Sequence, residues 1–593
     1  MDDDTSMGSA GMSSNSARPA AKKLRRSRPA VNNELEDRQK TATDALVRWI
    51  CGSLEPLSTV TEGGLINLIG YLSQGTQIFP DRSAMCRIVE KKAAEFRFTT
   101  MEKVRHCVDG PYSLSAELWS MHYDMKYVAL MCHHLNKEFE PETFPMAVIY
   151  VPPPEDGGAK ELAKLMKGVF REWSLPEHYL SLLLTSSDTT IRQVASILEA
   201  KRFPDIWSVV HNALVHWIRV RRRTAASTGA VGVTRTKQES QMSVAAVVTE
   251  LTRFADLLDN NWEVKKKLFR AQSIGGNEDD LMIMKTDCKT WDKVYDFLSE
   301  LMIWKPSIDQ YYAFSAVDCT SGINKPTTKM WFVAEALVLL LRTLREVKQI
   351  TTKDKARTLP FVIRCLVTLK QHLSEQNVLT SLKEHYRLTK EFDATDIFKD
   401  LVMLQKEIHD SITTTYDTLV SEFLWCSLLD PRYAKMSHID DDKRKQCKLE
   451  LTRRAIELNR KSAPTQGVMY RLLQEGNAES LSEVNIEEMR ASVTDEVTMY
   501  LSEHEKRTAC IADPFEWWWN NCERYPLLSA LAREWLGAVG CSSVAIGALR
   551  REIPYLVVHD IEAHQDDEDP WETMANMLYV HVSVREPKGP DEE

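Results

Sequence analysis

The sequence of 593 residues lacks several features that define common protein classes. It has no uninterrupted apolar run of about 18 residues, the length that a helix needs to cross a membrane, so we expect no transmembrane segment. Its first residues are polar and lack the apolar stretch of a secretory signal peptide. The twelve cysteines occur singly and never as Cys-x-x-Cys, which favours free thiols in a reducing compartment over disulfides or a zinc finger.

The chain also lacks an overall positive charge, since its formal net charge is −10. Nucleic-acid binding would therefore have to use local basic patches. The candidate phosphate contacts are Lys22, Lys23, Arg25, Arg26, Arg221, Arg222 and Arg223. The first of these two clusters also fits a nuclear import signal. The alternative for both clusters is a solvated tail or loop that binds nothing.

Composition and periodicity divide the chain into regions. Residues 1–45 are rich in Ser, Asp and Ala and are predicted to be disordered, whereas 46–105 show helical spacing. Residues 557–593 are predicted to form a peripheral acidic tail, in which 578–584 is a possible edge strand. We see no repeat of 30–50 residues, which disfavours a solenoid.

The middle of the chain changes from strand patterns to helical ones. Apolar runs bounded by turn residues predict strands at 112–120, 127–133, 144–151 and 179–185, with a helix at 160–173 before the last strand. From about 243 to 501 almost every segment has helical periodicity. We therefore predict a mixed, helix-rich α/β chain.

The densest aromatic stretch is 513–536, DPFEWWWNNCERYPLLSALAREWL. Pro514 and Pro526 are each placed to begin a helix, because the first helical N–H group has no partner in any case. Beyond Tyr525, apolar residues recur at three- and four-residue spacing and form one helical face. A cluster of this density forms either a core or an interface, and both interpretations stay open at this point.

The order of these residues resembles the C-terminal dimerisation region of hAT-superfamily transposases. Leu429-Asp430-Pro431-Arg432-Tyr433 matches a further motif of that family residue for residue. Glu117 and Trp119, with His133 downstream, stand where the family has its first catalytic Asp, a Trp and a His. The BED zinc finger found in many members has no match here.

The resemblance implies an RNase H-like core at 106–220 and 501–556, interrupted by a helical insertion at 221–500. It implies a nuclear homodimer with DNA as a partner and no membrane. The dimerisation residues that it implies are Trp517, Trp518, Tyr525, Pro526, Leu528, Leu531 and Trp535.

The family's reaction needs three carboxylates that hold two divalent metal ions. Here Glu117 takes the first position, and Asp188 takes the second unless a one-residue shift puts Ser187 there. Gly547, or Ile546 by a similar shift, takes the third, and neither side chain binds metal. We therefore expect a degraded site without metal or cofactor. The alternative is an active Mg²⁺- or Mn²⁺-dependent transposase or nuclease that uses Glu117, Asp188 and Glu552.

Overall fold

The computed structural model describes most of the chain between residues 30 and 585. The described ranges are 30–72, 80–107, 110–120, 126–151, 153, 158–218, 243–262, 264, 266, 288, 290–314, 324–353, 357–375, 377–436, 439–462, 478–506, 513–542 and 570–585.

The four predicted strands are confirmed as β1 Tyr112–Ser120, β2 Lys126–Leu135, β3 Pro141–Tyr150 and β4 Leu180–Thr185. A fifth short strand, β5 Arg202–Pro204, was not predicted. The strands form a five-stranded mixed sheet in the order β3-β2-β1-β4-β5. The β1–β2 and β2–β3 pairs are antiparallel, whereas β1–β4 and β4–β5 are parallel. Parallel neighbours need a crossover, and a helix supplies it before β4 and again before β5.

Helices dominate the rest of the described chain. They are α1 Ala30–Ser53, α2 Gly63–Leu72, α3 Arg82–Cys107, α4 Gly158–Glu172, α5 Thr189–Ile197, α6 Ile206–Ile218, α7 Val244–Asp259, α8 Trp291–Phe314, α9 Thr328–Thr351, α10 Leu359–Ser374, α11 Asn377–Lys390, α12 Thr395–Phe423, α13 Asp441–Ser462, α14 Ala478–Lys506, α15 Pro514–Asn521, α16 Pro526–Gly537 and α17 Pro570–Arg585. The helix-rich α/β class is thus confirmed. None of the described helices is long and apolar enough to cross a membrane.

The two faces of β1 point to different cores, because successive side chains of a strand alternate. Leu114 and Ala116 pack with α4 and α5 on one face. Ser113 lies on the other face, where its hydroxyl donates to the Gly537 carbonyl at 3.3 Å. On that side, β4 and β5 share one large core with helices α6–α16. The sheet therefore lies between its own crossover helices and the long helical region.

Gly537 allows the end of α16 to approach the sheet closely. A Cβ atom at this position would lie 3.0 Å from the backbone nitrogen of Leu135 on β2. Arg533 adds a hydrogen bond from its guanidinium to the Leu135 carbonyl at 3.3 Å. The C-terminal helices thus return to the sheet after the long helical region.

The C-terminal segment contradicts its prediction. Residues 578–584 lie within helix α17, and the predicted edge strand is wrong. The segment is not peripheral either, since Met577, Leu578 and Val580 are buried where α17 packs on α1, α3 and β3. His581 strengthens this packing through a 2.7 Å hydrogen bond to the Cys51 carbonyl of α1. A short apolar run fits a buried helix as well as a strand, and local periodicity does not separate the two.

The N-terminal prediction needs a second correction. Helix α1 begins at Ala30, so the last third of the region predicted to be disordered is helical. Val47, Ile50 and Cys51 anchor its C-terminal half in the core that it shares with α3 and α17. Such anchoring allows a polar segment to extend a helix that it would not form alone, because tertiary packing supplies most helix stability.

Helices α15 and α16 begin at the two prolines, as predicted. Asp513 caps α15 by accepting from the Phe515 N–H at 2.9 Å. Helix α16 has no side-chain cap of its own, and Glu496 of α14 accepts from the N–H groups of Leu527 and Leu528 instead. Burial raises the pKa of the Glu496 carboxyl. A cap supplied from another helix ties α14 to the start of α16.

Candidate functional site

The carboxyl ends of β1 and β4 bring the first two predicted catalytic positions to one edge of the sheet. Ala116 of β1 is paired with Thr185 of β4 in a parallel register. Glu117 follows the first of these residues directly, and Asp188 follows the second by three residues. The carboxyl ends of parallel strands are where α/β folds bind ligands, so the topology puts both carboxylates in a position suited to a site.

Glu117 occupies this edge as a buried residue. Its side chain is on the same face as Ser113 and Ser115, opposite Ala129 of β2, and only 2% of the residue is exposed. Solvent and large substrates therefore have little access to this carboxylate.

Asp188 has two structural contacts of its own. One carboxylate oxygen accepts from the Thr190 N–H at 2.7 Å, which makes the residue the N-cap of α5. The other oxygen lies 3.5 Å from the ammonium group of Lys126 at the start of β2. Capping stabilises a helix by about 0.5–2 kcal/mol, so Asp188 contributes to the stability of the fold at this position.

A network of hydroxyl groups lies beside Asp188. The Ser187 and Ser208 oxygens are 2.7 Å apart, and the Asn212 amide donates to Ser187 at 2.6 Å. Ser208 lies in the first turn of α6, so its hydroxyl joins α6 to the segment that follows β4.

Asp205 was missed by the sequence reasoning, although it joins three elements at this edge. It is fully buried at the end of β5 and accepts from the Ser208 N–H at 2.9 Å as the first turn of α6 begins. Its other oxygen accepts from the Ser542 N–H at 3.0 Å, beyond the end of α16. The sequence did contain a clue to this role, because an Asp just before a helix often caps it by accepting from a backbone N–H of the first turn.

The two carboxylates at this edge have different surroundings. Lys126 brings a positive charge to Asp188, and Glu117 is buried on β1. Across the part of the chain that the structure describes, no group of three or more His, Cys, Asp or Glu side chains is placed to hold a metal ion. Gly547, Ile546 and Glu552 all lie outside the described residues.

His133 belongs to a buried polar layer between the sheet and the helical region. Its ring nitrogens lie 2.9 Å from the Ser115 hydroxyl and 3.0 Å from the Thr143 hydroxyl. Arg357, just before α10, donates to Thr143 at 3.4 Å. Burial lowers the pKa of His133 well below its ordinary value, and Arg357 and His134 add to the effect. The imidazole is thus held neutral as a link within the sheet.

This layer is expected to make the protein sensitive to mild acid. The folded-state pKa of His133 lies below the value of about 6.5 in an unfolded chain, so the unfolded state binds more protons between the two values. The free energy of unfolding should therefore fall as pH decreases through about 6.5. Urea unfolding between pH 7.5 and 5 measures this, and His133→Gln should flatten the curve. The exposed His178→Gln is the control, and equal slopes for all three proteins would contradict the expectation.

Six of the seven implied dimerisation residues lie inside the chain's own core. Trp517, Trp518, Tyr525, Leu528, Leu531 and Trp535 are all buried. Pro526 is exposed, and Trp519 is 48% exposed. Trp518 also donates from its indole N–H to the Leu429 carbonyl at 2.8 Å. The stretch 513–536 was interpreted as either a core or an interface, and in this structure most of its large apolar side chains pack in the core.

The 429–433 motif ends a helical segment, as its proline predicted. A 3₁₀ turn ends at Leu429, and the side chain of Asp430 accepts from the backbone N–H of Arg432. The Arg432 guanidinium also binds the Asp430 carboxylate through two of its nitrogens, at 2.6–3.2 Å. This pair lies beside Leu429, the acceptor for Trp518. The 429–433 motif and the aromatic stretch 513–536 are therefore in contact.

The predicted phosphate contacts from Lys22 to Arg26 and from Arg221 to Arg223 lie outside the described residues. Their role stays a prediction.

Comparison with known proteins gives one short similarity to a transposase. Over 116 residues the chain is 26% identical to the Hobo transposase of Drosophila melanogaster, a hAT element. The match covers 18% of this chain and 18% of that transposase. No protein-family model matches the chain. The match suggests a distant hAT relationship.

Proposed function

We propose that this chain is a hAT transposase-derived protein that has lost catalysis and acts in the nucleus as a DNA-associated homodimer. The sheet supports an RNase H-like core, since three antiparallel strands are followed by two parallel ones with α4 and α5 as crossovers. Helices α7–α14 correspond in position to the helical insertion at 221–500 that the resemblance implies. The short similarity to Hobo transposase supports the same ancestry.

The main support for a loss of catalysis comes from the contacts of Asp188. A catalytic carboxylate in a two-metal site must offer its oxygens to the metal ions. Here one oxygen caps α5 and the other faces Lys126. With Gly547 at the third position, the chain keeps the scaffold of such a site but lacks its third carboxylate.

The test is a combined metal-binding and cleavage experiment on the full chain. Calorimetric titration with Mn²⁺ is expected to show no stoichiometric two-ion site, and duplex DNA should stay intact in the presence of Mn²⁺. The contrary result would be cleavage that Asp188→Asn abolishes. Asp440→Asn is the matched control, because Asp440 also accepts a backbone N–H at the start of a helix, α13, but is exposed.

The second candidate is an active metal-dependent transposase or nuclease with a substituted site. The parallel pairing of β1 and β4 favours it, because this pairing places Glu117 and Asp188 at the same edge. Cleavage lost with either Glu117→Gln or Asp188→Asn would support this candidate against the first.

Self-association and nuclear location come from the resemblance and from the basic cluster at Lys22 to Arg26. Because six residues of the dimerisation motif are buried, we propose that they hold the C-terminal helices in place. The homodimer then forms through exposed surface nearby, which includes Pro526 and Trp519.

A further inference from the structure

Helix α4 carries a straight stripe of four cations on its solvent side. They are Lys160, Lys164, Lys167 and Arg171. Their spacing of four, three and four residues places all of them within about 60° of the helix circumference, over a length of about 16 Å. Lys160, Lys164 and Arg171 are exposed, and Lys167 is half-buried.

Few acidic groups offset this cation stripe. Glu161 forms an ion pair with Lys164 at 3.0 Å, whereas Glu172 lies about 100° away from Arg171 around the helix. Among the described residues, Lys160, Lys167 and Arg171 form no ion pair with an acidic side chain. The chain as a whole has a net charge of −10, so general basicity does not explain the stripe.

Helix α13 provides a contrast within the same molecule. Its Lys443 and Lys445 are as exposed as the stripe, but Asp440 pairs with the first at 3.2 Å and Asp442 with the second at 3.5 Å. Those cations are neutralised locally. The cation stripe of α4 keeps most of its charge available to a partner.

The apolar side of α4 shows which class of partner fits. Leu162, Met166 and Phe170 are buried in the core under the sheet. A helix that binds a membrane surface must insert its apolar face into the lipid, and here that face is already covered. The partner therefore meets charge alone, which fits a regular row of phosphates.

We propose that the α4 cation stripe is a docking surface for the phosphate backbone of duplex DNA. The inference rests on the proposed function, because it specifies a surface for the DNA association stated there. Neighbouring cations of the stripe are about 4.5–6 Å apart along the helix axis, at 1.5 Å per residue, so the stripe can contact several neighbouring phosphates. Such contacts position a protein on the duplex without reading base sequence.

The test compares two triple variants of the full chain with equal charge change. One carries Lys160→Gln, Lys167→Gln and Arg171→Gln. The control carries Lys443→Gln, Lys445→Gln and Lys448→Gln on α13. Fluorescence anisotropy with a labelled duplex, from 50 to 200 mM salt, measures the affinity and its salt dependence. Thermal melts verify that both variants are folded.

The stripe variant is expected to lose affinity by at least about tenfold at 100 mM salt. The slope of log K against log salt should become shallower by about 2–3, since each phosphate contact in B-DNA contributes about 0.9. The control should keep the wild-type slope. Equal losses in both variants, or an unchanged stripe variant, would overturn the proposal while DNA association stands.

Two further outcomes concern the class of partner. A wild-type protein that fails to bind duplex DNA at 50 mM salt would overturn both the stripe and the DNA part of the proposed function. The wild type and both variants are also tested for binding to vesicles of anionic phospholipid. If only the stripe variant loses vesicle binding while its DNA affinity stays unchanged, the assignment to DNA is overturned.

Discussion

Replacing Trp518 by alanine is expected to lower the free energy of unfolding by about 3–5 kcal/mol, the usual range for truncating a buried aromatic side chain. Trp518 has no exposed surface and lies in a cluster of rings. It stacks on Tyr500 of α14 at 5.4 Å between ring centroids, and it stacks on Phe139 at 6.3 Å. Its indole N–H bonds the Leu429 carbonyl, so the change also leaves a buried acceptor without its donor.

The exposed Trp262→Ala is the matched control for this experiment. Trp262 is 57% exposed and lies outside the proposed dimer surface, so its loss should change stability by about 0.5 kcal/mol or less. Urea unfolding gives the energies, and sedimentation velocity at micromolar concentration reports self-association. A dimeric wild type that becomes a folded monomer on Trp518→Ala would place this residue in the interface. A monomeric wild type would remove the homodimer from the proposed function.

Arg432→Met is expected to cost about 3–5 kcal/mol, because it leaves a buried carboxylate without its cation. Asp430 has no exposed surface, and the Arg432 guanidinium contacts both of its oxygens. The same guanidinium lies 5.1 Å from the ring centroid of Phe361. The variant therefore loses an ion pair and a cation–π contact together. Urea unfolding at neutral pH measures the change.

Arg453→Met is the matched control, because it removes a guanidinium that contacts both oxygens of Glu450. The Arg453 side chain is 56% exposed, so the loss should be about 1 kcal/mol or less. Adding Asp430→Asn to Arg432→Met removes the buried charge and should restore part of the stability. Equal costs for the two single arginine variants would show that burial of the Asp430 pair does not matter.

Local patterns in the sequence predicted much of the fold. Four of the five strands were identified because apolar runs bounded by turn residues are a pattern of a few consecutive residues. The starts of α15 and α16 were predicted because proline favours the first helical turn. The turn at Asp430 was predicted because Pro431 disfavours a helical conformation for the residue before it.

The errors occurred where distant segments decide a local structure. Residues 578–584 form a buried helix, because α17 packs on α1, α3 and β3 from the other end of the chain. The start of α1 at Ala30 depends on the same packing. A single-sequence pattern has no information about either contact, since the partners lie about 500 residues away.

The sequence by itself determined the α/β class, the prolines that begin α15 and α16, and the absence of a carboxylate at Gly547. Each of these follows from the identity of a residue or its near neighbours. Only the tertiary structure decided that Trp518 belongs to the core, that Asp188 caps α5 beside Lys126, and that Asp205 joins β5 to the end of α16. Burial and charge pairing depend on which surfaces meet, and that is a property of the folded chain.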